Sequence, residues 1–168
     1  MAIYYGDGSN SGEGRVVQIV SVQIKGTSQY NGTSMDNISG FSAAITPKST
    51  SHKILVMFNI NAGSNNNGNR IVFRVSRSGE DNEFVGDASG SRTRGSAQMA
   101  VSNPQDQRSH HISYLSQPNS TSSVTYQLQA RLQVGGSSYV KFVHSGGDTY
   151  NAIKGRTPQS IILMEIAD

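Results

Sequence analysis

"SVTYQLQARLQV", Ser123 to Val134, decides the fold class. Val124, Tyr126, Leu128, Ala130, Leu132 and Val134 alternate without a break with Thr125, Gln127, Gln129, Arg131 and Gln133. A period of two sends successive side chains to opposite faces, so this is a strand with one buried and one wet face. The run "HKILVMFNINA" sets Ile54, Val56, Phe58, Ile60 and Ala62 on one side. Leu55 and Met57 are apolar on the other side, which predicts a first half covered on both faces.

The same reading predicts strands near 16–24, 40–46, 70–76, 109–115, 138–144 and 160–167, with a weaker one near 97–101. Polar, Gly-, Asn- and Pro-bearing stretches such as "GSNNNGN" and "SQPNSTS" separate them as turns. No segment carries a helical period. About eight strands joined by polar loops predict an all-β protein, an antiparallel β-sandwich of jelly-roll type. Pro47 has no amide hydrogen to give to a ladder, so the strand before it must stop there. "KSTS", 48–51, then reads as a hairpin-like connection into the strand that starts after His52.

A chain of 168 residues is most economically one domain, read here as 15–168 behind an N-terminal arm, 1–14. Its core must be lean, because only 35% of residues are apolar and tryptophan is absent. Charged residues are 15% and the net charge is +3, too small for the self-repulsion that keeps a chain disordered. A thin core and modest charge suit a protomer that completes itself against its own copies. The pI is 9.3, but the basic residues are scattered along the sequence, which argues against nucleic acid. There is no cysteine, hence no disulfide or thiolate metal site. No apolar run approaches the roughly 20 residues of a membrane helix, so no membrane insertion is expected. "MAIYYGDGSN" lacks the basic and apolar regions of a secretion signal.

Chemistry is sparse. "GDASG" lacks the spacing of a nucleophile elbow, and "GDGSNSGEG" lacks the lysine of a phosphate loop. His110 and His111 are strand neighbours that face opposite ways, so within one chain they cannot share a metal. Loop acids including Glu80, Glu83 and Asp87 read as solvated. No catalytic, cofactor or metal residue is predicted, and the protein is expected not to be an enzyme. Glu165 stands apart: it shares a strand face with Ile161 and Leu163, so its carboxylate must be paired. An Arg or Lys from a neighbouring strand or subunit is the expected partner.

Four blocks in order, "GRVVQIVSVQ", "GFSAAITPKSTSHKILVMFNIN", "SHHISYLSQPNSTSSVTYQLQARL" and "SIILMEIA", carry a resemblance. Together they resemble short β-rich virion proteins of tailed phages, marine cyanophages in particular, of the structural or tail-fibre kind. The resemblance implies a homotrimeric sandwich displayed on a particle as a fibre tip, knob or capsid decoration. It implies other virion proteins, capsid or tail, as partners, and host attachment as one use. With about 14 residues ahead of the module, the chain is expected to be a small virion protein docking through its arm. Ile3, Tyr4 and Tyr5 are the expected anchor, and Leu55, Met57, Met164 and Glu165 the expected subunit contacts. The alternatives are a polysaccharide depolymerase and a module binding host surface glycan, for which Tyr114, Tyr126, Tyr139 and Tyr150 are the available rings, although Tyr126 falls on the buried side of its strand, which argues against it.

Overall fold

The computed structural model describes residues 14–80, 82–103, 107–142 and 156–167. The arm with Ile3, Tyr4 and Tyr5 lies outside them, as do Tyr150 and most of the 145–159 loop. Ten strands are present: β1 (Val16–Ile24), β2 (Ser28–Tyr30), β3 (Asp36–Ile45), β4 (Lys53–Ser64) and β5 (Arg70–Arg77) come first. β6 (Ala97–Ala100), β7 (Gln107–Ser116), β8 (Val124–Leu132), β9 (Val140–Phe142) and β10 (Gln159–Ile166) follow. No helix occurs among the described residues.

Eight strands make the frame. β1-β10-β4-β7 is one sheet and β3-β8-β5-β6 the other, with every ladder antiparallel. Most connections cross from one sheet to the other, which gives the jelly-roll order of two Greek keys. The remaining two strands are short. β9 pairs with Ala62–Ser64 of β4, beyond where β10 ends, and β2 pairs with β9, so they extend the larger sheet.

The alternation read from 123–134 holds in space. Val124, Tyr126, Leu128, Ala130 and Leu132 are buried between the sheets, while Thr125, Gln127 and Arg131 lie on the outer face. Opposite them stand Val56, Phe58 and Ile60 of β4 and Ile161 and Leu163 of β10. Phe142 joins the two layers, its ring 4.7 Å from Phe41 and 6.2 Å from Phe73. Val134 breaks the pattern. It was expected inside, but β8 ends at Leu132 and Val134 is 51% exposed. The chain is already turning there towards Gly136, whose φ of +72° lies in the left-handed region.

β3 starts four residues earlier than the sequence suggests, and Gly40 explains why that start was hidden. Ile38 and Phe41 are both buried although three residues apart, which a regular pleat forbids. The register with β8 slips between Asn37 and Ser42, and Gly40 sits in the slip with φ +79°. Gln127 fills the irregularity, its Nε2 donating to the carbonyls of Ile38 at 2.8 Å and Phe41 at 3.1 Å. A Cβ on Gly40 would meet nothing within 4 Å, so the cost of a side chain is purely conformational. Gly40→Ala should therefore lower stability by about 1 kcal/mol, a melting shift of roughly 2–4 °C in a thermal scan.

The connection at Pro47 is not a hairpin. β3 and β4 belong to different sheets, so residues 46–52 arch across the edge of the sandwich. Pro47 still ends the ladder, as its missing amide requires.

Candidate functional site

The outer face of the larger sheet carries the first candidate surface. Ile19 of β1 lies opposite Met164 of β10, Met164 opposite Leu55 of β4, and Leu55 opposite Leu115 of β7. Cross-strand partners on one face stand about 5 Å apart at Cβ, so these four make a continuous apolar ladder across the sheet. The next rung carries Ile162 and Met57, and on the other side Val16 lies opposite Ile166. Ile19 is 57% exposed, Leu115 53% and Val16 41%. The rung of Ser160, Asn59 and His111 ends the patch with hydrogen bonds, Asn59 to Ser160 at 2.9 Å and His111 to Asn59 at 2.6 Å. An exposed apolar area with a polar border is a candidate contact surface.

Leu55, Met57 and Met164 therefore share this face, where the period-two reading puts them. Glu165 does not. Its side chain is fully buried and points the opposite way, beneath the 46–52 arch. Among the described residues its ion-pair partner is His52 rather than an Arg or Lys. The carboxylate accepts the Lys48 backbone amide at 2.6 Å, Gln18 Nε2 at 2.5 Å and His52 Nδ1 at 2.7 Å. Gln18 also donates to the Thr46 carbonyl at 2.7 Å. Burial raises the pKa of Glu165, but these three donors outweigh it and hold it below the ordinary value.

At the same end of the sandwich, where Ile54 lies between Glu165 and Ser116, Arg77 is a second polar hub. Its Nη1 meets Glu83 Oε1 at 2.6 Å and the Gln117 carbonyl at 3.0 Å, and its Nη2 pairs with Glu80. Ser116 Oγ donates to Glu83 at 2.7 Å and accepts from the Tyr126 phenol at 2.8 Å. Burial pushes the Tyr126 phenol up to about 12, with the Ser116 bond pulling the other way. Phe84 stacks on Tyr114 at 4.7 Å, so this hub pins the start of the long 78–96 loop to β7.

The outer face of the smaller sheet holds an open basin of about 840 Å³. Arg70, Arg92, Arg131, Thr93, Gln98 and Gln133 line it, and no carboxylate does among the described residues. Arg131 is held in place: its Nε donates to the Thr33 carbonyl at 2.7 Å and its Nη1 to Thr93 Oγ1. The arginines look scattered along the sequence, yet strand register gathers them. Arg131 lies opposite Val72, which makes Arg70 its diagonal neighbour, and the 78–96 loop folds Arg92 over the same face.

Among the described residues the tyrosines do not line one groove, and Tyr126 is buried as its strand parity predicts. Tyr126 is fully buried and Tyr114 nearly so, both within the core, while Tyr139 lies apart against Lys141. His110 packs on the Phe73 ring at 5.4 Å, and burial, then Arg108, lowers its pKa. His111 points outward, so the two do face opposite ways. Among the described residues no three His, Asp or Glu side chains converge as a metal site would need. No described helix is long and apolar enough to cross a membrane.

No protein-family model matches the chain, and no curated protein matches it. Among solved structures, a chain of the structure of infectious bursal disease virus, Gx strain, is similar at 13% identity and a TM-score of 0.42. That similarity covers 92% of this chain and 37% of the other, so this chain spans little more than a third of its length.

Proposed function

We propose that the chain is a non-enzymatic structural protein of a virus particle, of the tailed-phage kind its sequence blocks resemble. Its work is docking. The outer face of the larger sheet closes against copies of itself in a homotrimer, and the assembled sandwich is displayed as a knob or decoration. The Ile3-Tyr4-Tyr5 arm anchors it to capsid or tail proteins. The observation that carries this reading is the apolar ladder Ile19–Met164–Leu55–Leu115, left open on the sheet face turned away from the core. Jelly rolls recur among capsid and lectin domains, which agrees with display, although a fold alone assigns no function.

The experiment is solution mass. Light scattering should find a multiple of the 18.0-kDa chain. Ile19→Lys combined with Leu115→Lys should give the single-chain mass without loss of the melting transition, because both side chains are already more than half exposed. A single-chain mass for the unaltered protein at tens of micromolar refutes the proposal, and so does a multimeric double variant. Labelled protein offered to assembled empty phage heads and to host cells then separates decoration from attachment.

A further inference from the structure

We propose that the basin on the smaller sheet binds an acidic polysaccharide, one bearing sulfate or carboxylate groups. It lies on the opposite sheet from the apolar ladder, so it is independent of the docking proposal. Three arginines line one basin with no lining carboxylate to offset them. None of the ion pairs among the described residues engages Arg70 or Arg92. Like charges on neighbouring strands repel, and an anion placed between them removes that cost.

Arg131 adds pre-organisation. A guanidinium has five N–H donors, and Thr33 and Thr93 occupy two of Arg131's, which fixes its plane and leaves three for a ligand. Planar, paired donors match carboxylate and sulfate oxygens bidentately. Around them, Thr93, Gln98 and Gln133 supply hydroxyl and amide groups suited to sugar hydroxyls. The basin is open along the sheet, which suits a segment of polymer passing through it better than an enclosed small molecule.

The lining also argues against the other occupants. It contains no aromatic ring, so a neutral sugar has nothing to stack on and single-stranded nucleic acid lacks the platforms its bases use. Charge must therefore supply most of the affinity, and added salt should weaken it.

Binding is measured on immobilised heparin and polygalacturonate, with neutral dextran alongside and single-stranded DNA and inorganic sulfate as competitors. Arg70→Gln and Arg92→Gln should each weaken binding to the acidic polymer about tenfold, the loss of one charge-assisted contact. Arg15→Gln, an equal charge change at an exposed position just ahead of β1 and outside the basin lining, should alter it less than twofold. A preference for one acidic polymer over the other supports the proposal and identifies the anionic group. Equal losses from Arg15→Gln, equal binding to dextran, tighter binding of DNA, or displacement by millimolar sulfate as effectively as by polymer would each overturn it.

Discussion

Glu165→Ala is expected to lower the stability of the fold by about 3–4 kcal/mol, a fall of roughly 10 °C in melting temperature. The size follows from what the carboxylate holds. It is fully buried and takes hydrogen bonds from Lys48 N at 2.6 Å, Gln18 Nε2 at 2.5 Å and His52 Nδ1 at 2.7 Å. Removing it strands three donors in a part-buried site, each costing on the order of 1 kcal/mol. It also frees the 46–52 arch, which Gln18 ties down through Thr46. Glu165→Gln keeps the shape but turns an N–H₂ group toward groups that are themselves donors, so it should cost about 2 kcal/mol. An alanine variant that melts within a degree or two of the parent would show that the arch is held by something else.

Acid should act on the same residue. The folded-state pKa of Glu165 is depressed, so its contribution is fully present above the unfolded value near 4.5 and fades as pH falls through the lower folded value. The parent protein should therefore lose stability on acidification below about 4.5, while Glu165→Gln shows a shallower decline over that window. Parallel curves for the two proteins would rule out this carboxylate as the acid-sensitive group.

Where side-chain parity alone decides, the sequence was a good guide. The run at 124–132 needs no information beyond its own alternation, and the outward pair Leu55 and Met57 reads directly from β4. Parity fails where the backbone breaks its own period. Gly40 shifts β3 by one residue, so Ile38 and Phe41 cannot be recognised as neighbours on one face. It also says nothing about partners far along the chain. Glu165 visibly needed a partner, but only the packing of β1 and the arch against β10 shows that Gln18, Lys48 and His52 supply it. The arginine basin was hidden for the same reason. Arg70, Arg92 and Arg131 become one feature only after β5 pairs with β8 and the intervening loop folds back, and alternation carries no register. The signal that was available is modest: Arg131 falls on the wet side of the run that decided the fold.

Arg77→Met should produce the other large change, about 2–4 kcal/mol, and it should act first on the 78–96 loop. Arg77 and Glu83 are both mostly buried, their side chains 15% and 17% exposed, and they meet at 2.6 Å. Burial lowers the guanidinium's pKa, but Glu80 and Glu83 more than offset this and raise it. Taking the cation away leaves the mostly buried Glu83 carboxylate unpaired beside Tyr114, whose own pKa is raised by burial and then by that charge. An uncompensated charge in such a place costs more than the pair contributes, so methionine, which fills space but offers no charge, is the severe variant. Arg77→Lys keeps the charge as a single point and loses the forked contacts to Glu83, Glu80 and Gln117, so an intermediate loss is expected. Adding Glu83→Gln to Arg77→Met removes the stranded charge and should recover part of the stability, a coupling that a double-mutant cycle measures. The loop gives a second readout. Trypsin should cut at exposed Arg92 several-fold faster in Arg77→Met, because the stacked Phe84–Tyr114 contact and the Arg77 bonds anchor that segment together. Thr93 and Arg92 form one wall of the basin, so binding of acidic polymer should weaken as well, although Arg77 does not line it. Unchanged melting with unchanged cleavage at Arg92 would remove Arg77 from this role.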